Sequence, residues 1–126
     1  METLDRNFFE TVFRRMEKPC GLPPDAKTVE SYTKRLLALK NKNLLHLLGD
    51  PESLLKELKL CTRSAGTTIV ALRPAQIFFG RLTEGERSRL GFNQNPRDVL
   101  PLYGRLLTEE TQRRAEEVRQ KKLGQR

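Results

Sequence analysis

The chain has 126 residues, which is the size of one domain and leaves too little material for two hydrophobic cores. Hydrophobic residues make up 37% of it, too many for wholesale disorder, and no run approaches the roughly 18 apolar residues of a membrane-spanning helix. The net charge of +8 makes a polyanion the first partner to consider, with acidic membrane surfaces and simple solubility as competing explanations.

The cysteines and the amino terminus bear on cellular location. Cys20 and Cys61 fit neither a metal-ligand spacing nor a disulfide framework, so we interpret both as reduced thiols. The first residues lack the basic start and continuous apolar stretch of a secretory signal. We therefore expect an intracellular protein, in the nucleus or cytoplasm or of viral origin, and not a secreted one.

The first predicted element is an amphipathic helix. Apolar residues recur at helical spacing from Leu4 to Met16, with charged residues between them. Three prolines between Pro19 and Pro24 remove backbone donors and fix φ. A stiff extended connector is expected there.

A second helix is predicted from Thr28, which suits an N-cap. Val29, Tyr32 and Leu36 would form its apolar face. Between residues 27 and 42 the only acidic residue is Glu30. The basic residues there are Lys27, Lys34, Arg35, Lys40 and Lys42.

The middle of the chain contains the clearest helix start. Residues 44–48 are too short to assign by periodicity. Asp50 as N-cap and Pro51 at the first helical position predict a helix directly after them.

Residues 61–72 are ambiguous, because Thr, Ile and Val favour strands but strict alternation is missing. We favour a helix that begins near Ser64 and ends before Pro74. Residues 74–79 then form another helix, or its continuation across a kink, which Gly80 closes.

Two further segments complete the pattern. Thr83 and Glu86 stand at capping-box spacing and open a short helix that Gly91 can end. A turn separates it from an apolar segment at residues 99–107. Residues 108–126, with acids first and bases last, predict an exposed helix or connector.

Catalytic chemistry finds little support in the residue pattern. His46 is the only histidine and stands between leucines, so we expect it to be partly buried and non-catalytic. The acid pairs at residues 109–110 and 116–117 fall on a polar helix where solvent keeps them ionised. The glycines are too isolated for a phosphate loop. We expect no enzyme activity, metal or cofactor.

Positive charge instead gathers at two predicted helix starts, where free backbone amides can bind phosphates. The two sets are Thr28, Ser31, Lys34 and Arg35, and Arg63, Ser64, Thr67 and Thr68. The competing interpretation is that both are ordinary capped helices with solvated basic faces.

Residues 28–36 resemble the T-x-x-x-Y helix of the core-binding domain of tyrosine recombinases and phage-type integrases. Residues 54–58 and 63–73 are similar to the next two helices of that SAM-like four-helix unit, so the resemblance covers about residues 27–80. It implies duplex DNA binding on one face. It places near the DNA the residues Thr28, Ser31, Lys34, Arg35, Arg63, Ser64, Thr67, Thr68 and Arg73.

Tyr103 and the tail at residues 109–126 are similar to the segment that joins this domain to the catalytic domain in integrases of large DNA viruses and related mobile elements. The sequence departs from the whole recombinase, since it offers no catalytic Arg, His-x-x-Arg and Tyr constellation. The resemblance therefore implies DNA recombination or integration chemistry only through a DNA-binding part.

We thus predict an all-α, compact orthogonal bundle of about four to six helices with a SAM-like core and an exposed C-terminal helix. Residues 1–107 would form the DNA-binding domain and 108–126 the charged helix or connector. This function requires Lys34 and Arg63 to lie on one surface.

The main alternative is a helical interaction or viral structural protein that docks a protein partner, or itself, through the first or last helix. RNA binding is weaker, because the core accounts for Phe8, Phe9, Phe13, Phe78 and Phe79.

Overall fold

A computed structural model describes residues 5–16, 25–39, 44–61, 65–92 and 94–124. Within these ranges every regular element is an α-helix, so the all-α prediction is confirmed. The predicted connector at residues 19–24, with Cys20, lies outside them, as does the side chain of Cys61.

The described part of the chain contains seven helices, against about four to six predicted, and residues 44–48, which were too short to assign from the sequence, form one of them. They are α1 (Arg6–Phe13), α2 (Ala26–Leu37), α3 (Leu44–Leu48), α4 (Pro51–Cys61), α5 (Ala65–Arg81), α6 (Glu84–Leu90) and α7 (Pro96–Gly124). In these ranges no helix has both the length and the hydropathy that crossing a bilayer requires.

Local signals predicted the starts of α4 and α6 correctly. The Asp50 side chain accepts hydrogen bonds from the backbone N–H and the hydroxyl of Ser53 in the first turn of α4. Thr83 and Glu86 form the predicted capping box. Gly91 ends α6 with φ +86°, a left-handed conformation that glycine adopts without the steric cost of a Cβ.

Two predicted helix boundaries were wrong. α2 begins one turn earlier than expected, with Asp25 at the N-cap position and Thr28 already inside the helix. α5 does not end before Pro74, as we favoured, but continues through it, which was the alternative for residues 74–79, since Pro74 is buried and tertiary contacts outweigh the lost hydrogen bond. The apolar segment at residues 99–107 and the charged segment after it lie in one helix, α7, which continues to Gly124.

Helix α5 forms the centre of the bundle and packs against α1, α2, α3, α4 and α7. Its Phe78 is fully buried and meets the edges of Phe8 and Phe9 on α1, with ring centroids 5.9 and 5.0 Å apart. Such edge-to-face pairs add to the stabilisation from burial alone. The aromatic residues therefore attach α1 to α5, as the assignment of the phenylalanines to the core predicted.

Helix α7 runs antiparallel to α5. At one end a Cβ on Gly80 would lie 3.4 Å from Leu100, and at the other end Glu117 reaches Ala65, the first residue of α5. Between them Tyr103 is buried and donates a 2.7 Å hydrogen bond to the Leu48 carbonyl. Burial raises its pKa, so the phenol stays neutral.

An ion pair joins α6 to the end of α1. Arg15 donates to the two carboxylate oxygens of Glu86 at 2.6 and 2.8 Å. This bidentate contact, with the Thr83 amide, lowers the pKa of Glu86 to about 2 although burial opposes the shift. Glu86 therefore serves both as a helix cap and as a tertiary anchor.

Candidate nucleic-acid interface

A groove of about 350 Å³ lies between α2, α5 and α7. Its size falls at the lower end of the range of ligand pockets, about 300–1,000 Å³. Its walls combine polar and apolar residues. It is lined by Ser31, Tyr32, Arg35, Ile69, Val70, Arg73, Pro74 and Arg114.

Three arginines, one from each helix, define the charge of this groove. Arg35, Arg73 and Arg114 make no ion pair or hydrogen bond through their side chains with any residue that the structure describes. In contrast, Lys34 is held by Glu30 at 3.1 Å. Three unneutralised guanidinium groups around one depression create a positive potential that favours an anionic ligand.

Apolar residues also line the groove. Val70 keeps 41% of its surface exposed, next to the buried residues Ile69 and Pro74. The half-buried ring of Tyr32 packs on Phe13 with centroids 5.5 Å apart, which fixes its orientation. The groove therefore combines cations with a rigid apolar surface.

Pro74 changes the backbone as well. Because proline has no N–H, the Val70 carbonyl one turn before it lacks the donor that an α-helix normally supplies. Val70 and Pro74 both line the groove.

Buried polar contacts hold the second half of α7 against α5 and so position Arg114. The Thr68 hydroxyl donates to Glu110 at 2.6 Å, and Arg113 pairs with the same carboxylate at 2.7 Å. Glu117 accepts the backbone N–H of Ala65 at 3.0 Å. The contacts with Arg113 and Thr68 keep the pKa of Glu110 below its usual value, so this anchor stays charged.

The structure brings three of the predicted contact residues together in the groove. Ser31 and Arg35 come from α2 and Arg73 from α5. The others that the structure describes lie outside its lining. Lys34 points away, about 100° around α2 from Arg35, and Thr28 is half-buried. Thr67 is exposed in the first turn of α5.

The prediction for Thr68 was wrong. Its side chain is fully buried and its hydroxyl is bound to Glu110, so it cannot contact DNA in this fold. The predicted anion site at the start of α5 meets the same obstacle, because the Glu117 carboxylate already binds the first amide. A residue of the chain itself takes the place that a phosphate was expected to fill.

Two further predictions concern the start of α5 and the histidine of α3. Arg63 and Ser64 lie outside the described residues, so the expected proximity of Lys34 and Arg63 stays a prediction. His46 was expected to be partly buried but is exposed, because α3 turns Leu47 and Leu48 towards the core instead.

The sequence interpretation missed Arg114 and assigned Tyr32 only to the core. A signal for Arg114 was present in the spacing of α7. The inward positions continue past the apolar segment at alternating intervals of three and four residues. They are Val99, Tyr103, Leu106, Glu110, Arg113 and Glu117. The tail therefore packs on α5, and Arg114 follows at the edge of that stripe.

A second groove of about 370 Å³ lies at the turn between α6 and α7. Glu84 and Arg87 both line it, and Arg87 already donates to the Leu82 carbonyl at 2.7 Å. It therefore lacks an excess of free charge. Within the described ranges no three metal-ligating side chains cluster together.

Comparisons with protein-family models, with curated proteins and with solved structures give no match for this chain.

Proposed function

We propose that the chain is a non-catalytic module that binds duplex DNA through the groove between α2, α5 and α7. The observation that carries the proposal is the convergence of Arg35, Arg73 and Arg114, from three different helices, without an acidic partner among the described residues. Guanidinium groups bind phosphate oxygens in a bidentate manner. The net charge of +8 adds a general attraction to a polyanion.

The resemblance of residues 27–80 to a recombinase core-binding domain supports the same function, since Arg35 and Arg73 are among the residues that it places near DNA. The proposed location is intracellular, where duplex DNA is accessible. No cofactor enters the proposal, because phosphate contacts alone supply the affinity.

Anisotropy of a fluorescent duplex at low salt tests the proposal, with Arg73→Glu as the variant. Loss of one phosphate contact and the added repulsion should weaken binding about ten-fold or more. Arg97→Glu is the matched control: it changes the charge equally at an exposed position of α7, about 25 Å along the helix from Arg114. It should change the affinity less than about two-fold.

Two results would overturn the proposal: no duplex binding by the native chain at low salt, or an equal loss in both variants. If the chain forms stable dimers and does not bind DNA, the result supports the alternative that it is a helical interaction protein. Circular dichroism of both variants confirms that each remains helical.

A further inference from the structure

The groove has apolar lining residues for which a DNA backbone has no apolar counterpart. In a duplex the flat faces of the bases are stacked inside, and the outer surface presents phosphates, sugars and base edges. Phosphates would engage the three arginines but leave Val70 and the ring of Tyr32 without a partner. An exposed valine and a half-buried tyrosine beside three arginines fit a ligand that carries a flat apolar group next to its negative charge.

An unpaired nucleotide has this combination. Its phosphate suits the arginines, and its base suits a fixed aromatic ring, an aliphatic surface or a guanidinium plane. The volume of about 350 Å³ lies within the range of pockets for small ligands. The groove is therefore large enough for one such group to enter.

We propose that the groove accommodates an unpaired nucleotide next to a duplex, with its phosphate on Arg35, Arg73 and Arg114 and its base against Val70 and Tyr32. This inference rests on the proposed DNA-binding function and names the form of DNA that the same groove prefers. The chain binds a duplex end with a single-stranded extension more tightly than a continuous duplex.

The test compares three fluorescent DNAs at one salt concentration. They are a short blunt duplex, the same duplex with a short single-stranded extension, and a blunt duplex lengthened to the same number of phosphates. Stacking of one base predicts a preference of about ten-fold for the extended DNA over the lengthened one. The charge match between these two removes the purely electrostatic gain.

The variant Val70→Ser removes the exposed apolar surface without altering charge. It should reduce the preference for the extended DNA to less than about three-fold. Val118→Ser is the matched control, because Val118 is exposed to a similar extent on α7 and does not line the groove. It should retain the full preference.

The outcomes separate the inference from the function on which it rests. If the lengthened duplex and the extended DNA bind equally well, the inference is wrong and the duplex-binding function stands. If the preference exists but survives Val70→Ser, the unpaired nucleotide binds elsewhere and the inference also fails. If no DNA binds, the proposed function itself has failed.

Discussion

The interface between α5 and α7 has two halves that share one geometry and differ in chemistry. In the apolar half, Val99, Tyr103 and Leu106 are buried against the end of α5 and its neighbours. In the polar half, Glu110 and Glu117 bind the start of α5 through the Thr68 hydroxyl and the Ala65 amide. The inward positions keep one regular spacing across both halves.

The apolar half contributes stability, whereas the polar half determines the position of α7 along α5. Apolar burial is non-directional and tolerates small shifts of one helix along another. A carboxylate that is 3% exposed must meet its partners, since an unpaired buried charge is costly. The polar half therefore fixes the register of α7 and, with it, the position of Arg114 over the groove.

The largest loss of folding stability is expected from a substitution in the apolar half of the interface between α5 and α7. Leu106 is 5% exposed, so Leu106→Ala should lower the free energy of unfolding by about 3 kcal/mol through lost burial and a residual cavity. Urea unfolding measures it. Leu123→Ala, at an exposed site on the same helix, should cost less than about 0.5 kcal/mol. A similar cost at both positions would contradict the assignment of α7 to the core.

In the polar half, Glu110→Gln should cost about 2 kcal/mol, because Arg113 loses its ion pair and Thr68 keeps only a neutral acceptor. Unlike Leu106→Ala, it should also weaken duplex binding about two-fold, since Arg114 is held less firmly. Its neighbour provides the control: Glu109 is exposed, and Glu109→Gln should stay within about 0.5 kcal/mol. Equal costs at positions 109 and 110 would mean that the polar half does not anchor α7.

Acid should weaken the polar contacts and spare the apolar half. The pKa of Glu86 is lowered from about 4.5 to about 2 in the folded chain. The stabilisation is therefore complete above pH 4.5 and is lost as the pH falls towards 2. Exposure of part of Arg15 reduces the expected loss to about 1.5 kcal/mol.

Unfolding in urea at a series of pH values follows this loss. In Glu86→Gln the free energy of unfolding should fall less steeply as the pH is lowered from 4.5 to 2, because the titrating group is gone. In Leu106→Ala it should fall as steeply as in the native chain. If the free energy of unfolding of Glu86→Gln falls with pH as steeply as that of the native chain, other carboxylates cause the acid sensitivity.

The smallest effects come from two buried threonines on neighbouring helices. Both side chains are fully buried, yet Thr68 is bound to Glu110 and the Thr33 hydroxyl has no hydrogen-bond partner among the described residues. Thr68→Val should cost about 1 kcal/mol, while Thr33→Val should be neutral or stabilise the fold by up to about 1 kcal/mol. Thermal unfolding compares them, and a loss of stability in Thr33→Val would mean that its hydroxyl has a partner.

Much of the fold follows from short-range signals. The Asp50 cap, the capping box of Thr83 and the glycine at position 91 fix three helix ends through contacts within one or two turns. The path of α5 through Pro74 does not follow from such signals. It depends on the burial of Pro74 and Phe78 against other helices, and this tertiary packing outweighs the local cost of proline.

The candidate site was only partly predictable for a related reason. Arg35 and Arg73 belong to basic segments that the sequence reveals directly. Arg114 stands in a run of alternating charges, and its charge alone does not distinguish it from Arg119. What selects it is the attachment of Glu110 and Glu117 to α5, a long-range contact that determines which face of α7 meets the groove.

The salt dependence of duplex binding tests the central claim most directly. Each phosphate contact contributes about −0.9 to the slope of log affinity against log salt concentration. Replacing Arg35, Arg73 and Arg114 together by glutamine should therefore make the slope shallower by about 2.7, whereas Arg97→Gln should leave it unchanged. An unchanged slope in the triple variant would contradict the account, because the three arginines would then not contact phosphates.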